Sequence, residues 1–127
     1  MAHKKKLARL SITPCMVNSE IKKRIVNLVQ QGDQCFVEEI IHQDNSRRRR
    51  KIFIPLSEVT QRMDALSRTK IPAFPVSPEV MDGDYVELTI YGVFSTLTLG
   101  WWTISPEGAD GIREFTEWLR CMAFPDE

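Results

Sequence analysis

Two stretches of this chain alternate strictly between apolar and polar positions. In residues 84–91, Val86, Leu88 and Ile90 alternate with Tyr85, Glu87, Thr89 and Tyr91. In residues 93–102, Val93, Leu97, Leu99 and Trp101 fall on one face, and Phe94, Thr96, Thr98, Gly100 and Trp102 on the other. Period-two patterning on both sides of Gly92 predicts an antiparallel hairpin with one buried face. Ser105, Pro106 and Glu107 then read as the N-cap, first-turn proline and first-turn acid of a helix. In that helix Ile112, Phe115, Trp118, Leu119, Met122 and Ala123 cover an arc of about 140°, wide enough for a core-facing stripe. Arg113, Glu114, Glu117 and Arg120 lie outside the stripe, and Phe124-Pro125 ends it.

The N-terminal half carries weaker patterns. Residues 7–13 alternate loosely and predict an edge strand. Ile21, Ile25, Leu28 and Val29 repeat at helical spacing, with Asn18 placed to cap and Gly32 to terminate, so a helix is predicted over 18–30. Residues 35–41 and 50–55 are rich in Phe, Val and Ile and enclose the turn-forming cluster 43–46, which predicts a second hairpin. Ser57 reads as the cap of a short helix over 56–66, in which Val59, Met63 and Leu66 share a face. Pro72, Pro75 and Pro78 push 68–82 into an extended crossing segment whose Ile71, Phe74 and Val76 need burial. The expected fold is α+β: an antiparallel sheet of two hairpins, with a fifth strand at the N-terminus, packed against two or three helices. Residues 1–6 read as a disordered basic tail and 7–127 as one domain.

Bulk properties narrow the function classes. A chain of 127 residues is one domain by size, and 43% apolar with 27% charged residues is ordinary for a globular protein. No apolar run is long enough for a transmembrane helix, and Arg9 interrupts what would be a signal-peptide core, so a cytoplasmic protein without membrane association is expected. Cys15, Cys35 and Cys121 are widely spaced with no CxxC pair, which predicts reduced thiols, with Cys35 and Cys121 in a core or an interface. The formal net charge is zero, yet residues 1–51 hold twelve Lys/Arg against five acids, a net +7, and residues 52–127 the reverse. Such asymmetry marks either an anionic partner for the basic half or mutual attraction of the two halves.

Candidate chemistry is sparse. With only His3 and His42 as histidines, and no closely spaced cysteines, no metal site is expected. Cys35 and His42 would stand on opposite faces of one strand, about 23 Å apart at strand rise. Glu38 and Glu39 also point to opposite faces; one is expected in solvent and the other paired across the hairpin with Arg49 or Lys51. No phosphate-binding glycine loop, nucleophile elbow or HExxH is present, and no cofactor is expected. A small enzyme would need a pocket gathering Tyr85, Glu87, His42 or Cys35.

Two surfaces remain as candidates. Arg47, Arg48, Arg49, Arg50 and Lys51 could grip phosphates by charge alone, with Phe53 the one ring nearby. Tyr85, Tyr91, Phe94 and Trp102 share the outward face of the Gly92 hairpin with Thr89, Thr96 and Thr98, which reads either as a surface covered by another helix or the proline-rich segment in a three-layer domain, or as a binding surface. The expected function is therefore non-enzymatic recognition of a protein partner. Sequence-nonspecific nucleic-acid binding through the basic hairpin is the alternative. An exposed hairpin edge could also pair two copies across a two-fold axis.

Leu66, Ile71-Pro72-Ala73-Phe74-Pro75, Asp82-Gly83, Tyr85, Leu88, Ile90, Trp101-Trp102, Pro106-Glu107-Gly108, Phe115 and Trp118-Leu119 carry a resemblance that spans about half of the chain. In this order they resemble a diffuse group of small bacterial α+β proteins, some of them similar in size and fold class to immunity proteins that neutralise toxins. A tryptophan often follows the Pro-Glu-Gly in that group, where this chain has Ala109. The resemblance implies a bacterial origin and an immunity-like role, and its motifs name no reaction.

Overall fold

The chain is built as one open antiparallel sheet with a layer of helix on one side, in a computed structural model described over residues 3–14, 21–70, 84–92, 95–102 and 108–123. The elements run β1 (Lys4–Thr13), β2 (Ile21–Gln31), β3 (Gln34–Gln43), β4 (Arg47–Ile54), α1 (Leu56–Ser67), β5 (Tyr85–Tyr91), β6 (Thr96–Trp102) and α2 (Asp110–Ala123). Their order across the sheet is β4-β3-β2-β1-β5-β6, with every neighbouring pair antiparallel. The α+β class holds, with six strands rather than four or five and two helices among the described residues.

The extra strand is β2, where the helical spacing over 18–30 predicts a helix. Val26 and Leu28 point toward the helices, while Ile25, Asn27 and Val29 face the other way, and all five are buried. An apolar run buried on both faces loses its alternation. The β-branched Ile21, Ile25, Val26 and Val29 also favour extended backbone. Asn18 lies outside the described residues, and Gly32, at φ 61°, serves the two-residue turn into β3 instead of ending a helix.

β1 is central rather than at an edge, flanked by β2 and β5. It starts at Lys4, so the disordered-tail reading fails for Lys4, Lys5 and Lys6. A bulge between Lys6 and Ala8 gives β1 one extra residue, Leu7. Leu7 and Ala8 thus both reach the core, and Lys4 and Lys6 are turned to the opposite face.

The core lies between one sheet face and the two helices. Leu10, Val26, Leu28, Val37, Val86, Leu88 and Trp101 from the sheet meet Val59 and Leu66 of α1 and Ile112, Phe115, Trp118 and Leu119 of α2. The predicted stripe of α2 is the buried face, with Met122 half-buried at its margin. Trp118 Nε1 donates to Glu58 Oε1 at 2.9 Å, tying α2 to α1. A Cβ on Gly111 would sit 1.9 Å from Thr69 Oγ1, so the absent side chain lets the end of α1 approach the start of α2. Two helix starts differ from expectation. Pro55, not Ser57, is the N-cap of α1, and it makes no side-chain cap bond. Gly108 has φ 79°, a left-handed conformation incompatible with helix, so α2 begins at Asp110. Ser105, Pro106 and Glu107, and nearly all of the proline-rich crossing, lie outside the described residues.

Candidate functional site

The sheet face turned away from the helices collects six of the nine candidate side chains: Tyr85, Tyr91, Trp102, Arg47, Arg49 and Lys51. Parity along each strand puts Lys4, Lys6 and Arg9 of β1, Lys23 of β2, and Arg47, Arg49 and Lys51 of β4 on this face, against Glu38 and Glu87. The helices carry Glu58, Asp64, Asp110, Glu114 and Glu117 on the other side. The outward sheet face is therefore basic, whereas the helix side mixes those acids with Arg24, Arg48 and Arg50 of the sheet and Arg62, Arg113 and Arg120 of the helices. Four ion pairs, Lys22–Asp44, Glu39–Arg50, Asp64–Arg68 and Asp110–Arg113, each join residues of the same half.

One end of this face is aromatic. Tyr85 and Trp102 are directly opposite on β5 and β6, their ring centroids 5.1 Å apart and tilted by 60°. The Tyr85 ring lies across Gly100, where an added Cβ would fall 2.1 Å from Tyr85 Oη. Beyond the Glu87–Gly100 pair on the same face, Thr89 and Thr98 share a hydrogen bond of 3.1 Å. Tyr91 is half-buried, with Lys6 Nζ 5.9 Å from its ring centroid. Trp102 keeps 37% of its surface exposed. Phe94 lies outside the described residues. Of the expected inward set, Val86, Leu88 and Trp101 are buried, Ile90 and Leu99 half-buried and Leu97 45% exposed at the sheet margin, while Val93 lies outside the described residues.

The other end is basic, and the five consecutive cations do not form one cluster. Successive strand residues alternate, so Arg48 and Arg50 point to the helix side while Arg47, Arg49 and Lys51 point away. Arg50 donates to Glu39 Oε2 at 2.7 Å and to the carbonyl of Ala123 at the end of α2. Glu39 is the buried member of the carboxylate pair, and its partner is Arg50 rather than the predicted Arg49 or Lys51; Glu38 faces Lys51 across the strands. Beyond Lys51 on the outward row stands Phe53, 64% exposed and edge-on to the Phe36 ring at 5.9 Å. Lys51 Nζ and Lys4 Nζ sit 4.6 and 5.8 Å from the Phe36 centroid. A hollow of about 270 Å³ opens among Lys4, Glu38, Arg49, Arg50 and Lys51. Lys4 has no sequence signal as a member of this group, because the Leu7 bulge brings it there.

The middle of the face is closed. Ile25, Val29, Phe36 and Ile40 are buried although neither helix lies over them. The accessible parts are its two ends, which five interstrand spacings separate by about 24 Å.

Among the described residues no set resembles an acid–base or nucleophilic centre. Cys35 and His42 stand on opposite faces of β3, and three strand spacings separate His42 from Glu87. Burial pushes the Cys35 thiol above its ordinary value, which disfavours the reactive thiolate. Cys121 is exposed on α2 and so is not a core residue. Among the described residues no three His, Cys, Asp or Glu side chains gather as metal ligands, and no helix is long and apolar enough to cross a membrane. No protein-family model matches the chain, and no curated protein matches it in sequence.

Proposed function

We propose that this chain is a non-enzymatic protein-interaction module of the bacterial cytoplasm, immunity-like in role, that docks its partner at the β5–β6 end of the sheet. The observation that carries the reading is Trp102: a tryptophan 37% exposed and backed by Tyr85, on a face that neither helix covers. Tryptophan and tyrosine dominate interface energetics because they bury large areas with few rotors to freeze. Backed by Tyr85 and held on a regular strand, the indole is largely pre-oriented, which lowers the ordering cost of association. The neighbouring Thr89–Thr98 pair offers hydroxyls without charge.

Site-specific photocrosslinking tests the reading. A crosslinker at position 102 should trap one discrete protein from a bacterial lysate, whereas the same group at exposed Arg113 on α2 should not. Trp102→Ala should abolish capture by a tagged chain while lowering the melting temperature by only a few degrees. Equal adducts from both positions, or none from either, would refute it.

A further inference from the structure

We infer that the opposite end of the same face is a binding track for single-stranded nucleic acid, formed by Arg47, Arg49, Lys51 and Phe53. These residues occupy alternate positions of β4, so their side chains form one row on the helix-free side. Alternate positions on a strand repeat every 6.8 Å or so, close to the separation of successive phosphates in an extended single strand. The row thus offers one cation per phosphate along a straight edge, and ends on a ring with 64% of its surface open to solvent. Phe53 packs edge-on against Phe36 and leaves most of its own ring in water beside three cations, where a nucleobase can stack on it.

Lys51 and Lys4 lie over the buried Phe36 ring, but no carboxylate among the described residues pairs with the charges in the row. Arg47, Arg49, Lys51 and Lys4 make no ion pair among the described residues, in contrast to Arg50, which Glu39 and the Ala123 carbonyl hold. Lys4 adds a fourth cation to the lining of the hollow beside the track, where Glu38 is the one acid. The wider face, rich in Lys and Arg, supplies the long-range field that draws in a polyanion. Nothing along the row reads base edges, so binding is indifferent to sequence. A single strand fits better than a duplex, because a paired base cannot lie on Phe53. This inference is independent of the protein-docking reading, which uses the far end of the sheet.

The test uses the full chain and a labelled oligo-dT strand followed by fluorescence anisotropy over a salt series. Each phosphate contacted by a cation adds about −0.7 to the slope of log affinity against log salt, so four cations predict a slope near −2.8. Arg49→Gln should flatten the slope by about 0.7 and weaken binding at low salt. Arg48→Gln, an equal charge change on the helix side, should leave both unchanged. Phe53→Ala should weaken binding about tenfold with the slope intact, and Trp102→Ala should have no effect. Circular dichroism melts of each variant establish that the fold persists. The inference fails if oligo-dT does not bind at low salt, or if Arg48→Gln acts as strongly as Arg49→Gln. It also fails if poly-glutamate competes as well as oligo-dT and Phe53→Ala changes nothing, which would assign the row to an acidic protein surface.

Discussion

Arg50 and Glu39 face each other across β4 and β3 on the helix side of the sheet, 2.7 Å apart, with the carboxylate 6% exposed and the guanidinium half in water. The same guanidinium caps the C-terminal end of α2 through the Ala123 carbonyl, where a cation also complements the helix dipole. One arginine thus fixes the basic edge strand to the last helix. Arg50→Ala leaves Glu39 buried without its counter-charge and should lower the unfolding free energy by about 2 kcal/mol, less than for a fully buried pair because Arg50 is partly solvated. Arg48→Ala and Arg49→Ala should stay within about 0.5 kcal/mol of the parent. Urea denaturation of the three variants separates the structural cation from its neighbours.

Gly111 sits inside α2, where alanine would ordinarily gain about 1 kcal/mol from helix propensity. Here the new methyl group would collide with Thr69, whose Oγ1, Cγ2 and Cβ all lie under 3.0 Å from it. Overpacking costs about 1–3 kcal/mol, so Gly111→Ala should destabilise by about 1 kcal/mol net. Adding Thr69→Gly removes the obstacle and should recover the loss. Thermal melts of the single and double variants check the sign.

Cys35 carries the pH dependence that can be assigned. Burial raises its thiol above the ordinary 9.0, so the folded state resists ionisation that the unfolded chain undergoes. The stability this contributes is fully present below pH 9 and is lost as pH rises through the folded value. The melting temperature should therefore fall from pH 8 to pH 10, and Cys35→Ala should make the fall shallower. Under native conditions at neutral pH a maleimide should label exposed Cys121, with Cys35 labelled only after unfolding.

Trp101 and Trp118 are buried in the core, whereas Trp102 stands on the other face. Acrylamide should quench one class of emission readily, and Trp102→Phe should remove that class. A readily quenched component that survives the substitution would place a second indole in solvent and would undercut the role assigned to Trp102.

The sequence made the hairpins legible because each had a single buried face: Val86, Leu88 and Ile90 alternate because one side of β5 meets the core and the other does not. It misled at β2, where burial on both faces erased the alternation and left a spacing that a helix satisfies equally well. It also misled at Lys4 to Lys6, since polar residues before a weak pattern look like a tail and only pairing with β2 orders them. The aromatic end of the site followed from parity alone. The basic end did not, because parity splits 47–51 between two faces and a bulge seven residues from the N-terminus supplies Lys4.

The sheet's two margins differ in a way that limits how copies of this protein can add to one another. β4 presents consecutive positive side chains to any approaching strand, which repel a like edge, while β6, Thr-Leu-Thr-Leu-Gly-Trp-Trp, bears no charge at all. Like-charge repulsion therefore opposes β4 against β4 and not β4 against β6, and two β6 flanks joined across a two-fold axis would close after two molecules.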